Sequence, residues 1–276
     1  FDGNLFSHYE NDYKVKFLPE TAFVSVNFKK YKLDFIRRGN LGNFPFLIDT
    51  HNEHLFLADT SGKIYFSEID YLINGNMKKF QKIQTNLSEM LPLVENKAVI
   101  SESYRDSDKN IVSGLIDKPD LLIVNDKIYY ATGFIKNKCH QIELYSGDIS
   151  TDKINFNLIF STKAKFNKCL HPNNNFGRIA HYFDGTNNNI LLSIGHSGKD
   201  NDDTFGNMIL INEEKNYSEV IAKGLRGTLG IYADENVILG TDNGPKGGDE
   251  INKIEKGNHY GYPYVSYGEK YKNPDY

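Results

Sequence analysis

Four segments of this 276-residue chain repeat one plan: a short apolar run, a polar turn built from Gly, Asp or Asn, and a second β-rich run. They are HLFLADTSGKIYFSEI (54–69), KIYYATGFIKNKCHQIELYSG (127–147), NILLSIGHSGKDNDDTFGNMILIN (189–212) and NVILGTDNGPKGGDEINKI (236–254). Each is preceded by another β-type run: PFLID (45–49), DLLIVND (120–126), GRIAHYF (177–183) and GTLGIYAD (227–234). Two such runs around a Gly/Asn/Asp turn predict a hairpin. A meander unit recurring every ~40 to 50 residues predicts a β-propeller. Loops of unequal length make the spacing drift, and a β-sandwich is the rival architecture. Helical periodicity is scarce; residues 71–89 are its best candidate, as a connecting excursion.

Composition narrows the function classes. Hydrophobic residues at 39% and aromatics at 13%, all Phe and Tyr, are enough for a packed core. The net charge of −4 and the lack of a basic segment argue against nucleic acid or an anionic membrane as partner. The longest apolar runs, such as 121–124 and 189–194, are too short for a membrane-spanning helix. Cys139 and Cys169 lack the spacing of a thiolate metal site and suit either one disulfide or two buried thiols. The chain starts at Phe1 without a charged-then-apolar leader, so a targeting segment was removed or the record starts inside a longer protein.

Residues 244–263, GPKGGDEINKIEKGNHYGYP, carry the densest chemistry. Asp249 and Glu250 sit behind a Gly-Pro and Gly-Gly corner, and the chain returns through Gly257, Tyr260, Gly261 and Pro263. A tight turn that exposes carbonyls beside carboxylates offers the hard oxygen ligands calcium takes. A pair of solvated β-turns would use the same residues.

Three ordered segments resemble the soluble quinoprotein sugar dehydrogenases, the glucose/sorbosone dehydrogenase family. They are NNNFGRIAHYFDGTNNNILLSIGHSG (173–198), GLRGTLGIYADENVILGTDNGPKGGDEIN (224–252) and GNHYGYPYVSYGEKY (257–271), with Tyr262 where the family has Trp. A weaker match is VSGLIDKPDLLIVNDKIYY (112–130). The resemblance implies an all-β fold, a six-bladed propeller using calcium and pyrroloquinoline quinone (PQQ), with about four to five blades in this chain. It implies a single propeller domain over 1–276, incomplete at the C-terminus, and a periplasmic or secreted location. The implied reaction oxidises the C1 hydroxyl of a small-molecule aldose to the lactone.

The same resemblance places the chemistry residue by residue. The family's general base, a His four residues before the Gly-Arg arginine, falls on Asn174, and its acidic neighbour on Asn173. An amide cannot accept the proton, and Asn175 does not repair a one-residue shift. His171 lies three residues upstream as the remaining candidate base. The Arg-Asn cofactor pair reads Arg226-Gly227, which keeps a guanidinium suited to a quinone carboxylate and loses the amide. Arg226 suits equally a structural role, saturating carbonyls. The glutamine of the cofactor segment falls on Val112. Gly244 and Pro245 match the carbonyls that hold the cofactor-linked calcium. Glu250 and the Tyr260 carbonyl match ligands of a second, structural calcium. His196 points to the same end by analogy. The expectation is therefore a propeller of the sugar dehydrogenase type with doubtful catalysis; the alternative is a non-catalytic propeller that binds a carbohydrate or protein.

Overall fold

The structure, a computed structural model, describes residues 46–59, 62–70, 80–91, 104–105, 111–136, 139–169, 177–196 and 205–269. These residues form four sheets that pack as the blades of a β-propeller. Blade 1 contains β1 (Phe46–His51), β2 (His54–Asp59), β3 (Ile64–Glu68) and β4 (Gln81–Thr85). Blade 2 contains β5 (Tyr104–Arg105), β6 (Ile111–Val124), β7 (Lys127–Lys136), β8 (Cys139–Asp148) and β10 (Asn157–Ser161). Blade 3 contains β11 (Ile179–Phe183), β12 (Asn188–Ile194), β13 (Asn207–Asn212) and β14 (Tyr217–Lys223). Blade 4 contains β15 (Thr228–Ala233), β16 (Ile238–Asp242) and β17 (Glu250–Lys253).

Polar turns set the hairpin registers. Val124 pairs with Lys127 across a two-residue turn, and Asn125 there takes φ 53°, which asparagine tolerates better than most residues. In the turns between β11 and β12 and between β15 and β16, Asp184 and Asp234 accept nearby amides from 2.8 to 3.0 Å. These side chains mimic a backbone turn.

The blades meet through β1, β6, β11 and β15: β1 lies against β6, β6 against β11, and β11 against β15. Carboxylates latch the seams. The Ile123 amide in blade 2 donates to Asp49 of blade 1 at 2.6 Å, and the Ile179 amide in blade 3 donates to Asp120 of blade 2 at 3.0 Å. Burial pushes the Asp120 carboxyl up, against the downward pull of the Ile179 and Leu121 amides and of Arg178. The apolar runs 55–58, 128–131, 191–194 and 237–240 follow β2, β7, β12 and β16, and their side chains share core clusters from one blade to the next. Their unbroken hydrophobicity has a simple cause: a middle blade is covered on both faces. On β7, Ile128 and Tyr130 pack toward blade 1 while Tyr129 and Ala131 pack toward blade 3. On β12, Ile190 and Leu192 face blade 2 while Leu191 faces blade 4. Alternation survives in direction, not in polarity.

Two further strands cross between blades. β9 (Lys153–Ile154) leaves blade 2 to pair parallel with β4, and β18 (Asn258–His259) leaves blade 4 to pair parallel with β14. The helical reading of 71–89 is corrected in part. Residues 81–85 are the strand β4, whose side chains are mostly exposed apart from buried Ile83, and only α1 (Leu87–Met90) is helical. Residues 71–79 lie outside the described residues. Cys139 and Cys169 form a disulfide, so of the two readings left open the disulfide holds.

The buried tyrosines set an alkaline limit. Burial pushes the hydroxyls of Tyr129, Tyr130 and Tyr145 above the usual phenol range, with nearby Glu213, Asp59 and Glu143 adding to the shift. The folded state keeps these protons, whereas the unfolded chain releases them near pH 10. Stability is therefore full below that pH and falls as pH rises through it, by up to about 1.4 kcal/mol per pH unit for each titrating tyrosine. Urea midpoints measured at pH 8 and pH 11 should differ clearly. A flat profile would contradict the burial of these hydroxyls.

Candidate functional site

The corner that follows β16 is built by one buried carboxylate and one guanidinium. Asp242, 7% exposed at the end of β16, accepts the Arg226 amide at 2.7 Å and the Gly227 amide at 2.6 Å. Burial raises its carboxyl, while the two amides and the Arg226 charge pull the other way. Arg226 then turns its Nη1 onto the corner, donating to the Asn243 carbonyl at 2.6 Å, Asn243 Oδ1 at 2.9 Å and the Gly244 carbonyl at 3.0 Å. Asp249 closes the other side by accepting from Asn243 Nδ2 at 3.2 Å and the Gly244 amide at 3.1 Å. The Pro245 carbonyl accepts the Gly248 amide at 2.7 Å. Glycine is obligatory at 244, because a Cβ there would stand 1.7 Å from the Gly248 carbonyl oxygen.

Aromatic rings complete this end of the propeller. The Arg226 guanidinium carbon lies 5.8 Å from the Tyr262 ring centroid, within the range of a cation–π contact. The buried His196 ring meets the same tyrosine edge-on at 5.3 Å, and its amide donates to the Arg226 carbonyl at 2.7 Å. The tyrosine precedes a cis proline, Pro263. Thus Arg226, Tyr262 and His196 form one stack beside the corner.

The sequence-derived site residues are distributed unequally. Arg226, Gly244 and Pro245 are brought together, and Gly227 gives its amide to Asp242. Glu250 opens β17 and holds Asn252 at 3.3 Å. The Tyr260 amide donates to the Lys223 carbonyl at 2.8 Å, and its hydroxyl donates to the Lys253 carbonyl at 2.7 Å. Val112 lies in β6. His171, Asn173 and Asn174 fall outside the described residues. Sequence reasoning missed Asp242 and Asn243 as organisers of the corner, whereas His196 lies at the same end as the corner, as the resemblance implied.

The corner was tested against the calcium and quinone that the family resemblance implies. The Gly244 and Pro245 carbonyls each already accept an internal N–H donor, and a guanidinium sits on the first. A calcium ion on those oxygens would meet that positive charge at close range. As arranged, these two carbonyls do not offer a calcium site. The second pair differs: among the described residues, Glu250 binds only Asn252, and the Tyr260 carbonyl accepts no N–H. Among the described residues, no three His, Cys, Asp or Glu side chains converge as they would around a metal.

Fold and corner together define a β-propeller with its turn chemistry at one end. Residues 148–276 match the family model described as Glucose / Sorbosone dehydrogenase. An uncharacterized protein of Synechocystis sp. is 39% identical over 62 residues, which is 22% of this chain and 15% of that protein. Among solved structures, the apo-form of the soluble aldose sugar dehydrogenase of Escherichia coli aligns with a TM-score of 0.57 and 17% identity, covering 83% of this chain and 65% of that one. The PQQ-bound aldose sugar dehydrogenase of Streptomyces coelicolor aligns with a TM-score of 0.49 and 16% identity, covering 80% and 65%. The chain thus spans about two thirds of the solved structures it resembles.

Proposed function

We propose that this chain is a propeller of the sugar dehydrogenase type that serves as a sugar-facing binding scaffold, with its Asn243–Asp249 corner acting as a structural closure. The observation that carries this reading is the commitment of Arg226. Its Nη1 is spent on three oxygens of its own corner, so the group best suited to a quinone carboxylate is already satisfied within the protein. The residue types at Asn174, Val112 and Gly227 support the same reading. A quinone in such a family site would supply a hydride acceptor, and Arg226 is the residue here whose guanidinium would hold its carboxylate. Family kinship supports a small sugar as ligand class, and the Cys139–Cys169 disulfide supports an exported, oxidising location.

The second reading, a PQQ-dependent sugar dehydrogenase, is favoured by the family match, which spans Arg226 and the whole corner. Titration separates the two. PQQ added with calcium is expected to leave both the quinone absorbance and the melting temperature unchanged relative to calcium alone. Calcium alone is expected to raise the melting temperature through Glu250 and the Tyr260 carbonyl, since an ion bound only by the folded state stabilises it. Glu250→Gln should lose most of that gain. A saturable quinone shift abolished by Arg226→Ala would replace the scaffold reading with the second one.

A further inference from the structure

At the opposite end of the propeller, between blades 2 and 3, lies a cleft of about 260 Å³ that the sugar-dehydrogenase reading leaves unused. It opens where the turns after β6 and β13 meet the end of β8, whereas the Arg226 corner sits where the first strands begin. Its floor is apolar, from the buried side chains of Ile190 and Ile211.

One wall is fixed from both blades. Glu213, on the β13–β14 turn, accepts Lys127 Nζ at 3.0 Å, the Tyr129 hydroxyl at 3.1 Å and Ser146 Oγ at 2.7 Å, all from blade 2. These three bonds hold the Glu213 carboxyl below its ordinary range against the opposing effect of burial. A wall tied this way is preorganised, so a ligand need not order it. Opposite, His181 Nε2 and Asn188 Oδ1 lie 2.9 Å apart and present polar edges to the same space.

The mouth is acidic. Asp126, Asp148 and Glu214 line it, with Asp126 and Asp148 almost fully exposed. Lys127 is the cation lining the cleft, and it is shared between Glu213 and Asp148, the latter at 3.7 Å. The carboxylates do not converge on a point, since no three acidic, His or Cys groups among the described residues are close enough to hold a metal ion. The same charges spread around a sugar-sized space give its mouth a negative potential that draws a singly charged organic cation. The apolar floor and polar wall suit a frame with both C–H faces and hydroxyls.

We propose that this cleft binds a small polyhydroxylated amine, its ammonium drawn into the acidic mouth that Asp126, Asp148 and Glu214 line and its frame laid on Ile190 and Ile211. The probe is glucosamine, with glucose as its neutral counterpart, in calorimetric titrations of the whole chain at low salt. Exposed carboxylates contribute modestly one by one, so the expected preference for glucosamine is roughly tenfold. It should fade at high salt. The double variant Asp126→Asn, Asp148→Asn, which leaves the Glu213 clamp intact, should bring the two sugars within roughly twofold of each other. Equal affinity for both sugars, no binding of either across the millimolar range, or a preference that survives the double variant would each overturn the proposal. The quinone titration reads the other end of the molecule, so either result stands without the other.

Discussion

Mixed with PQQ, calcium and an artificial electron acceptor, the protein is expected not to oxidise glucose or other aldoses, loss of the general base alone costing ~10²- to 10⁴-fold in rate. The base is the first reason. Proton removal from the sugar hydroxyl needs a group that titrates near neutrality within hydrogen-bond reach, and Asn174 holds an amide at that position. The cofactor is the second. Gly227 has no side-chain amide to offer, and its backbone N–H is taken by Asp242. Val112 cannot hydrogen-bond where the family has a glutamine. Arg226 would have to leave its own corner to reach a ligand. Robust quinone-dependent turnover would defeat this expectation and point to His171 as the base. A His171→Ala variant that abolished such turnover would settle that assignment.

Loss of the disulfide is the change with the largest expected effect on stability. Cys139 and Cys169 close a loop with a sequence separation of 30 residues, joining the start of β8 to the segment that leads into blade 3. In the chain-entropy view, a crosslink of that span removes about 3.5 kcal/mol worth of freedom from the unfolded chain. Cys139→Ser with Cys169→Ser, or a reducing agent, should therefore lower the urea midpoint and depress the melting temperature by several degrees. Equal midpoints with and without reductant would mean that the bridge does not contribute to stability. The double variant keeps the test clear of side reactions at a free thiol.

Much of the fold was legible because hairpins write themselves locally. Runs such as 54–59 and 189–194 announce strands by β-branched and aromatic content, and Asp184, Asp234 and Asn125 mark turns by their own backbone chemistry. What sequence could not show is which strand of each unit faces its neighbour, because both the first and second runs are apolar. The latches of Asp49 and Asp120 were hidden for another reason: an acid in a strand looks solvated until its distant amide partner is known. β4 escaped notice because Ile83 is its one buried side chain among polar neighbours. At the corner, sequence named Arg226, Gly244 and Pro245 but not how they satisfy one another. A guanidinium with three partners reads the same in one dimension as a guanidinium awaiting a ligand.

The crossing strand β9 has a consequence for how the chain is made on the ribosome. β4 is the outermost long strand of blade 1, yet its edge is covered by residues delivered only after four strands of blade 2. Asn86, just past β4, donates its Nδ2 to the Phe156 carbonyl at 3.0 Å and accepts the Phe156 amide on its Oδ1 at 2.7 Å, across a sequence separation of 70 residues. At ~5 to 20 residues per second, blade 1 emerges several seconds before its cover is synthesised. During that interval its hydrogen-bonding edge faces other nascent chains, and such an open edge invites strand pairing between molecules. The sparse apolar content of β4, with Gln81, Lys82 and Gln84 turned outward, guards the exposed edge until Lys153 and Ile154 arrive.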